Sequence, residues 1–359
     1  MSKIYNFSAG PSILPQEVFQ QASQAVLDFN GIGLSLLEIS HRSKDFVSVM
    51  DEAQALVKEI YNLGDDYEVM FLQGGASLGF LMSAYNMMGA NKKSAYLTTG
   101  TWAKNAVKEG RSLGEVVEVG SSADFNFNYI PKGYTVPSDC DYFHITSNNT
   151  IFGTQIHDFP KSEVPLVCDM SSDIFCRELD AKQFDVIYAG AQKNMGPAGT
   201  TLYIVKKDKI GKSSMKVPTM LDFKTHADKE SMFNTPPVFA IYVSMLVLRW
   251  IKANGLAKIG QTNAAKASAL YSEVDRNPMF KGTAVKEDRS IMNGCFLLNA
   301  GLDESLGQNF LDLCKDANII GLKGHRSVGG FRASMYNALP LESVETLVDV
   351  MKTFETKFG

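Results

Sequence analysis

The sequence has few of the features that mark membrane-spanning, secreted or metal-binding proteins. Its longest apolar window, residues 238–247, is interrupted by Ser244 and is shorter than the ~20 residues that cross a bilayer. The five cysteines include no Cys-x-x-Cys pair, and the five histidines lack the spacing of metal ligands. Residues 1–15 contain one lysine and no sustained apolar stretch, unlike a signal or transit peptide. We therefore expect a cytoplasmic protein with reduced thiols, no metal site and no membrane association.

Charge of one sign is not concentrated anywhere in the chain. The 35 Lys and Arg residues nearly balance 39 Asp and Glu residues, which gives a net charge of −4, and there is no run of like charges. This balance argues against nucleic acid as a partner. No internal repeat or low-complexity tract interrupts the 359 residues, a length that predicts a folded protein of two domains.

Short apolar segments alternate with helical patterns along most of the chain. Residues 15–31 predict a first helix with one apolar face, formed by Val18, Phe19, Ala22, Val26 and Phe29, and residues 43–61 predict a second helix. Seven apolar strands follow, at 67–72, 94–97, 115–119, 142–146, 166–169, 186–189 and 200–205. The alternation predicts an α/β fold: a doubly wound, mainly parallel seven-stranded sheet covered by helices on both faces.

The remaining pattern predicts a smaller C-terminal α+β domain. A buried helix at 239–252 and a polar helix at 256–276 are followed by a break at Pro278, a strand at 293–299, a Gly-rich segment at 321–332 and a closing helix from Leu341. We expect a large domain of residues 16–256 and a small domain of residues 257–359, with residues 1–15 packing near the small one. Ligands of such sheets bind at the carboxyl ends of the strands.

A lysine and an aspartate follow two of the predicted strands. Lys193 lies in the loop 189–199, whose glycines and alanines let a ligand approach the backbone closely. An amine at this position can be desolvated, which lowers its pKa and would let it form a Schiff base. Asp169 ends its strand and could keep a pyridinium nitrogen protonated, as pyridoxal 5′-phosphate requires. Taken singly, the lysine could equally be a solvated surface charge and the aspartate a helix cap.

Two further elements fit the same cofactor. Gly75-Ala76-Ser77 precedes a helix and would present backbone N–H groups to a phosphate, whereas the Gly-x-Gly-x-x-Gly pattern of dinucleotide sites is absent there. Trp102 follows a strand, where its indole could stack on a pyridine ring or simply pack in a core or an interface. The four elements together predict a pyridoxal-phosphate site.

Several motifs resemble those of one family, the phosphoserine aminotransferases, which are class-V, fold-type-I pyridoxal-phosphate enzymes. The resemblance runs almost from end to end, through residues 7–12, 38–42, 187–194, 231–237, 323–326 and 329–334. It implies that Lys193 carries the cofactor and moves the proton, that Asp169 pairs with the ring nitrogen, and that Trp102 stacks on the ring. Thr150 would bind the ring hydroxyl.

The resemblance also assigns the anion-binding residues. The cofactor phosphate would be bound by Ala76, Ser77 and Gln192, joined by Asn234 and Thr235 of a neighbouring subunit, which implies a homodimer with shared active sites. Many members have arginine where this chain has Ser77, so phosphate binding here must depend more on backbone amides. Arg332 would bind the substrate's α-carboxylate. The distal phosphate or carboxylate would be bound by His41, Arg42, His325 and Arg326, the latter pair from across the dimer.

The residues alone also favour a substrate with two anionic groups, because two His-Arg pairs and Arg332 offer charged donors. Such pairs are otherwise ordinary solvated surface. The resemblance implies transamination of 3-phosphohydroxypyruvate with L-glutamate to O-phospho-L-serine and 2-oxoglutarate in serine biosynthesis, and it also admits 4-phosphohydroxythreonine of pyridoxine biosynthesis. The alternatives are a related enzyme for another small amino acid, such as an alanine–glyoxylate aminotransferase or a cysteine desulfurase, a nucleotide-binding α/β protein, or a catalytically silent cofactor-binding regulator.

Overall fold

The computed structural model describes residues 3–359; Met1 and Ser2, part of the expected N-terminal segment 1–15, lie outside the described residues. The helices are α1 (Gln16–Leu27), α2 (Lys44–Ile60), α3 (Gly75–Met87), α4 (Thr101–Arg111), α5 (Phe223–Ala227), α6 (Val238–Asn254), α7 (Leu256–Arg276), α8 (Leu306–Asp316) and α9 (Leu341–Phe358). The strands are β1 (Tyr5–Asn6), β2 (Tyr67–Leu72), β3 (Lys93–Thr98), β4 (Glu115–Ser121), β5 (Tyr142–Thr146), β6 (Asn148–Asn149), β7 (Thr154–Gln155), β8 (Leu166–Asp169), β9 (Val186–Gly190), β10 (Thr201–Lys206), β11 (Phe280–Gly282), β12 (Asn293–Leu298), β13 (Ile319–Ile320) and β14 (Phe331–Ser334).

The large sheet has seven strands in the order β2-β10-β9-β8-β5-β3-β4. Its neighbours are parallel except at β10, which runs antiparallel to both β2 and β9. The chain passes from β3 to the edge strand β4 and then returns to the other side of β3 as β5, so the strand order reverses beside β3. The predicted mainly parallel α/β sheet is confirmed, and this reversal is where such folds bind ligands.

Helices cover both faces of this sheet, because alternate residues of each buried strand point to opposite sides. In β2, Val69 and Phe71 pack with Phe46 of α2 in one core, whereas Met70 packs with Phe80 of α3 in another. Helix α2 begins at a side-chain cap, since Ser43 accepts a hydrogen bond from the backbone N–H of Phe46.

Helix α1 differs from its sequence prediction. It ends at Leu27, and the Phe19 side chain is 48% exposed. Val18, Ala22 and Ala25 form the buried stripe of α1. Phe19 follows Val18 by one residue, which turns its side chain about 100° around the helix axis and away from that stripe.

Helix α6 is confirmed as the buried helix that its apolar sequence predicted, since Ile241, Leu248 and Ile251 are fully buried. Among residues 3–359, no individual helix has the length and apolar character needed to cross a membrane. The consecutive helices α6 and α7 satisfy those criteria only as a pair bent by 90°.

A second apolar core lies in the C-terminal part of the chain. It joins α7, α8 and α9 to the three-stranded antiparallel sheet β11-β12-β14 and includes Phe280, Phe310 and Phe354. Phe7 belongs to this core, and β1 pairs in parallel with β13. These contacts support our proposed division near residue 257, with the N-terminal segment packed beside the small domain.

Candidate active site

Four neighbouring strands deliver the central residues of the site from their carboxyl ends. Lys193 follows β9, Asp169 is the last residue of β8, and Thr150 and Trp102 follow β5 and β3. All four residues line one cavity of about 330 Å³ together with Ala76, Ser77 and Gln192. The parallel arrangement explains the assembly, because residues 91 positions apart in sequence become neighbours when their strands lie in one sheet.

A larger cavity of about 590 Å³ lies elsewhere, between residues 130–136 and 155–164. None of the residues that the sequence singled out lines it. Within it, Lys132 pairs with Glu287 at 2.8 Å and with Asp288 at 3.7 Å. The smaller cavity therefore holds the candidate active site.

The Lys193 amine is held inside the smaller cavity. Its Nζ donates a hydrogen bond to Thr150 Oγ1 at 3.1 Å. Burial lowers the pKa of Lys193 to about 8, with the Asp169 charge opposing this shift and the Arg332 charge adding to it. Such an amine is neutral far more often near neutral pH than an ordinary lysine.

Asp169 is 4% exposed, at the end of β8. Its Oδ1 accepts hydrogen bonds from Ser171 at 2.9 Å (backbone N–H) and 2.6 Å (hydroxyl). Burial raises the pKa of Asp169, while the two bonds from Ser171 and the Lys193 charge act in the opposite direction. Among residues 3–359, no donor lies within hydrogen-bonding distance of Oδ2, so that oxygen is free to meet a ligand.

Two buried donors beside the cavity and one helix N-terminus have free N–H groups. Within the described part of the chain, the buried nitrogens Nε1 of Trp102 and Nε of Arg332 have no hydrogen-bond partner. Helix α3 has Gly74 as its N-cap residue, with no side-chain cap and no acidic residue in its first turn. Its N–H groups therefore face the cavity at Ala76 and Ser77 with the positive end of the helix dipole. The uncapped start of α3 therefore makes this end of the cavity suited to an anion.

Arg332 and His325 also line this cavity. Arg332 Nη1 donates to the Thr150 carbonyl oxygen at 3.2 Å. The segment 323–330 folds back beside β14, because Lys323 bridges to Phe331 and the Gly324 N–H donates to the Gly330 carbonyl. This fold places His325 at the cavity of its own chain, while the expected contribution of His325 and Arg326 across a dimer stays a prediction. Arg326 is exposed and does not line the cavity.

Four other residues that the resemblance assigned to the site lie outside this cavity. Arg42 is exposed and His41 partly buried, with the His41 Nε2 lacking a partner among the residues described. Asn234 donates to Gln73 Oε1 at 3.0 Å, and Gln73 donates back to the Thr235 carbonyl at 3.0 Å. A single chain therefore does not unite these residues with Lys193.

The N-terminal segment is a part of the site that residue-by-residue reasoning missed. Ala9 and Gly10 line the cavity, and Ser12 donates its hydroxyl to the Lys193 carbonyl at 2.6 Å. Gly10 has φ +133, and a Cβ there would lie 3.4 Å from Lys193 Cγ. The Gly-Pro step of the motif 7–12 predicts a turn, but it does not indicate what that turn contacts.

The geometry and the comparisons define the class together: the chain belongs to the class-V aminotransferase family, whose model, described as aminotransferase class-V, matches residues 4–347. Within that class it is similar to phosphoserine aminotransferases. The protein of that name from Flavobacterium johnsoniae is 62% identical over 357 residues, which cover 99% of each chain.

Solved structures agree with these sequence similarities. The phosphoserine aminotransferase from Bacillus circulans subsp. alkalophilus has a TM-score of 0.96 at 41% identity and 99% coverage of both chains. The PLP-bound phosphoserine aminotransferase from Trichomonas vaginalis has a TM-score of 0.93 at 34% identity, with 98% of this chain and 100% of that chain covered. The resemblance inferred from the motifs is confirmed.

Proposed function

We propose that this chain is a pyridoxal-phosphate-dependent transaminase that converts 3-phosphohydroxypyruvate and L-glutamate to O-phospho-L-serine and 2-oxoglutarate, a step of serine biosynthesis. One observation carries the proposal: Lys193, Asp169, Trp102 and Arg332 enclose one cavity beside an uncapped helix N-terminus. The 62% identity to a phosphoserine aminotransferase supports the choice of reaction within the class.

The residues present fit the cofactor. A phosphate would satisfy the free N–H groups at the start of α3, with Ser77 and Gln192 as further donors. Lys193 Nζ would hold the aldehyde carbon covalently, Trp102 would lie against the ring, and Thr150 would bind the ring hydroxyl. When bound, the protonated pyridine ring supplies an electron sink for the bonds at the substrate's α-carbon.

Lys193 is suited to move a proton within this site. An amine whose pKa lies near 8 can be neutral at physiological pH and can accept a proton at Nζ, then return it. The hydrogen bond to Thr150 holds the Lys193 amine in position. Asp169 Oδ2 would meet the protonated ring nitrogen and keep the proton there.

The anionic groups of the substrate would be bound by Arg332 and His325. The planar guanidinium of Arg332, with its buried and unpaired Nε, suits the α-carboxylate common to all amino-acid substrates. His325 Nδ1 interacts with Ser327, through Oγ at 2.7 Å and the backbone N–H at 3.3 Å. His325 is therefore oriented to offer Nε2 to the distal phosphate or carboxylate, and Arg326 lies one residue away on the same loop.

The proposal includes a homodimer with shared sites. The segment leading to His41 and Arg42 exposes large apolar side chains, which are Leu27, Ile32, Leu34 and Leu37, and Phe233 beside Asn234 is 40% exposed. Such a surface is typical of an interface. A second copy covering it would carry His41, Arg42, Asn234 and Thr235 to the cavity of its partner. All five cysteines are free and buried, which supports a reducing, cytoplasmic setting.

A half-reaction assay tests the proposed function. Purified protein loaded with pyridoxal phosphate is mixed with phosphoserine or with serine, and the visible absorbance of the cofactor is followed. We expect conversion with phosphoserine and glutamate and little with serine or alanine. Equal rates with phosphoserine and alanine would instead favour an aminotransferase for small unphosphorylated amino acids.

A further inference from the structure

The hydroxyl of Ser171 lies between the carboxyl ends of β8 and β9, which carry Asp169 and lead to Lys193. Its Oγ donates to Asp169 Oδ1 at 2.6 Å and accepts from the Gly190 backbone N–H at 3.2 Å. Gly190 is the last residue of β9 and opens the loop that carries Lys193. Because the Gly190 N–H donates to this oxygen, the single hydroxyl proton is directed to the carboxylate.

Both hydrogen bonds to Asp169 from residue 171 fall on the same oxygen. The backbone N–H of Ser171 donates to Oδ1 at 2.9 Å, in addition to the hydroxyl. Ser171 lies two residues after Asp169, which is the spacing of an Asx-type turn at the end of β8. This arrangement fixes the plane of the carboxylate and leaves Oδ2 as the oxygen that a ligand can meet.

We propose that Ser171 is a positioning residue: it orients Asp169 so that Oδ2 faces the cofactor ring, and it stabilises the ionised carboxylate in a buried site. The inference rests on the proposed pyridoxal-phosphate function. Charge-assisted hydrogen bonds of this length are among the stronger ones in proteins. The bonds from Ser171 favour the ionised carboxylate, because they lower the pKa of Asp169 whereas burial raises it.

The neighbouring Ser172 provides a matched control. It is 3% exposed, against 7% for Ser171, and its hydroxyl donates to the Asn148 carbonyl at 3.1 Å rather than to Asp169. Removing either hydroxyl deletes one atom from an equally enclosed place. A difference between the two variants therefore reports the contact with Asp169 and not the loss of packing.

The test measures the affinity of the full chain, stripped of cofactor, for pyridoxamine 5′-phosphate, which keeps the ring nitrogen but forms no bond with Lys193. We expect Ser171→Ala to raise the dissociation constant about tenfold, and Ser172→Ala no more than about twofold. In an Asp169→Asn background, Ser171→Ala should change the dissociation constant by less than about twofold, because the negative charge that accepts the hydroxyl's hydrogen bond is gone.

Thermal unfolding of each variant is recorded alongside. The inference is decided by whether the effect of Ser171→Ala on the dissociation constant depends on Asp169. Equal losses from Ser171→Ala in the otherwise unchanged chain and in the Asp169→Asn background would show that the hydroxyl acts only through local packing, and would overturn the inference. A loss from Ser172→Ala as large as that from Ser171→Ala would overturn it as well. If the unmodified chain does not bind the cofactor at all, the proposed function itself fails, which is a distinct result.

Discussion

Replacing Arg332 with alanine probes the substrate side of the site most sharply. The guanidinium is anchored by one bond, from Nη1 to the Thr150 carbonyl, while its buried Nε has no partner among residues 3–359. A substrate carboxylate bound in bidentate fashion would receive two charge-assisted hydrogen bonds, each contributing about 1.5–3 kcal/mol. Their joint loss of about 3–6 kcal/mol corresponds to a fall in kcat/KM of roughly 10²- to 10⁴-fold.

The fall should be similar for phosphoserine, glutamate and alanine, because all three share the α-carboxylate. Arg332→Lys keeps the charge but not the planar fork, so it should recover only part of the activity. Arg111→Ala is the control, since this exposed arginine pairs with Glu118 at 2.5 Å far along α4. Single-turnover kinetics with each substrate provide the values. A loss confined to phosphoserine, or near-normal rates in Arg332→Ala, would refute the assignment of Arg332 to the α-carboxylate.

The remaining predictions concern the cofactor side and the dimer. The rate at which pyridoxal phosphate attaches to the cofactor-free chain should rise with pH and level off above about pH 8, because the Lys193 pKa is lowered and the reactive neutral amine accumulates above that value. Borohydride trapping at a series of pH values measures this rate. A rise that continues to about pH 10, as for an ordinary lysine, would contradict the lowered pKa. Asp169→Asn should retain cofactor but slow turnover about 10²-fold or more, as seen in stopped-flow absorbance, whereas a near-normal kcat would return Asp169 to a structural role. Mixing Lys193→Ala protomers with protomers altered at both Asn234 and Thr235 should restore partial activity, and no recovery would exclude shared sites. Arg42→Ala should impair phosphoserine and glutamate far more than alanine, and equal losses would make Arg42 part of the scaffold.

The sequence was sufficient to predict the sheet and the residues at its carboxyl edge. Apolar strands with helices between them predict parallel pairing, and parallel strands bring their carboxyl ends together, so Lys193 and Asp169 could be expected to meet. These predictions need only local sequence patterns and the rule that parallel strands place their carboxyl ends at one edge of the sheet.

Other parts of the site depend on contacts between distant segments and could not be predicted in this way. Nothing in the local pattern of residues 9–12 indicates that Ser12 would contact the Lys193 carbonyl 181 positions away. The hairpin-like return of 323–330 beside β14, which places His325 at this chain's cavity, likewise depends on tertiary pairing. Phe19 was misjudged because an apolar residue next to a buried stripe has the same sequence signature as one within it.

Borohydride reduction of the protein loaded with pyridoxal phosphate, followed by peptide mass mapping, tests the central claim most directly. The account predicts one reduced phosphopyridoxyl group per chain, located on Lys193, and its disappearance in Lys193→Ala while the variant keeps its fold. Labelling of a different lysine, or undiminished labelling of the Lys193→Ala chain, would contradict the assignment of this cavity as a pyridoxal-phosphate site.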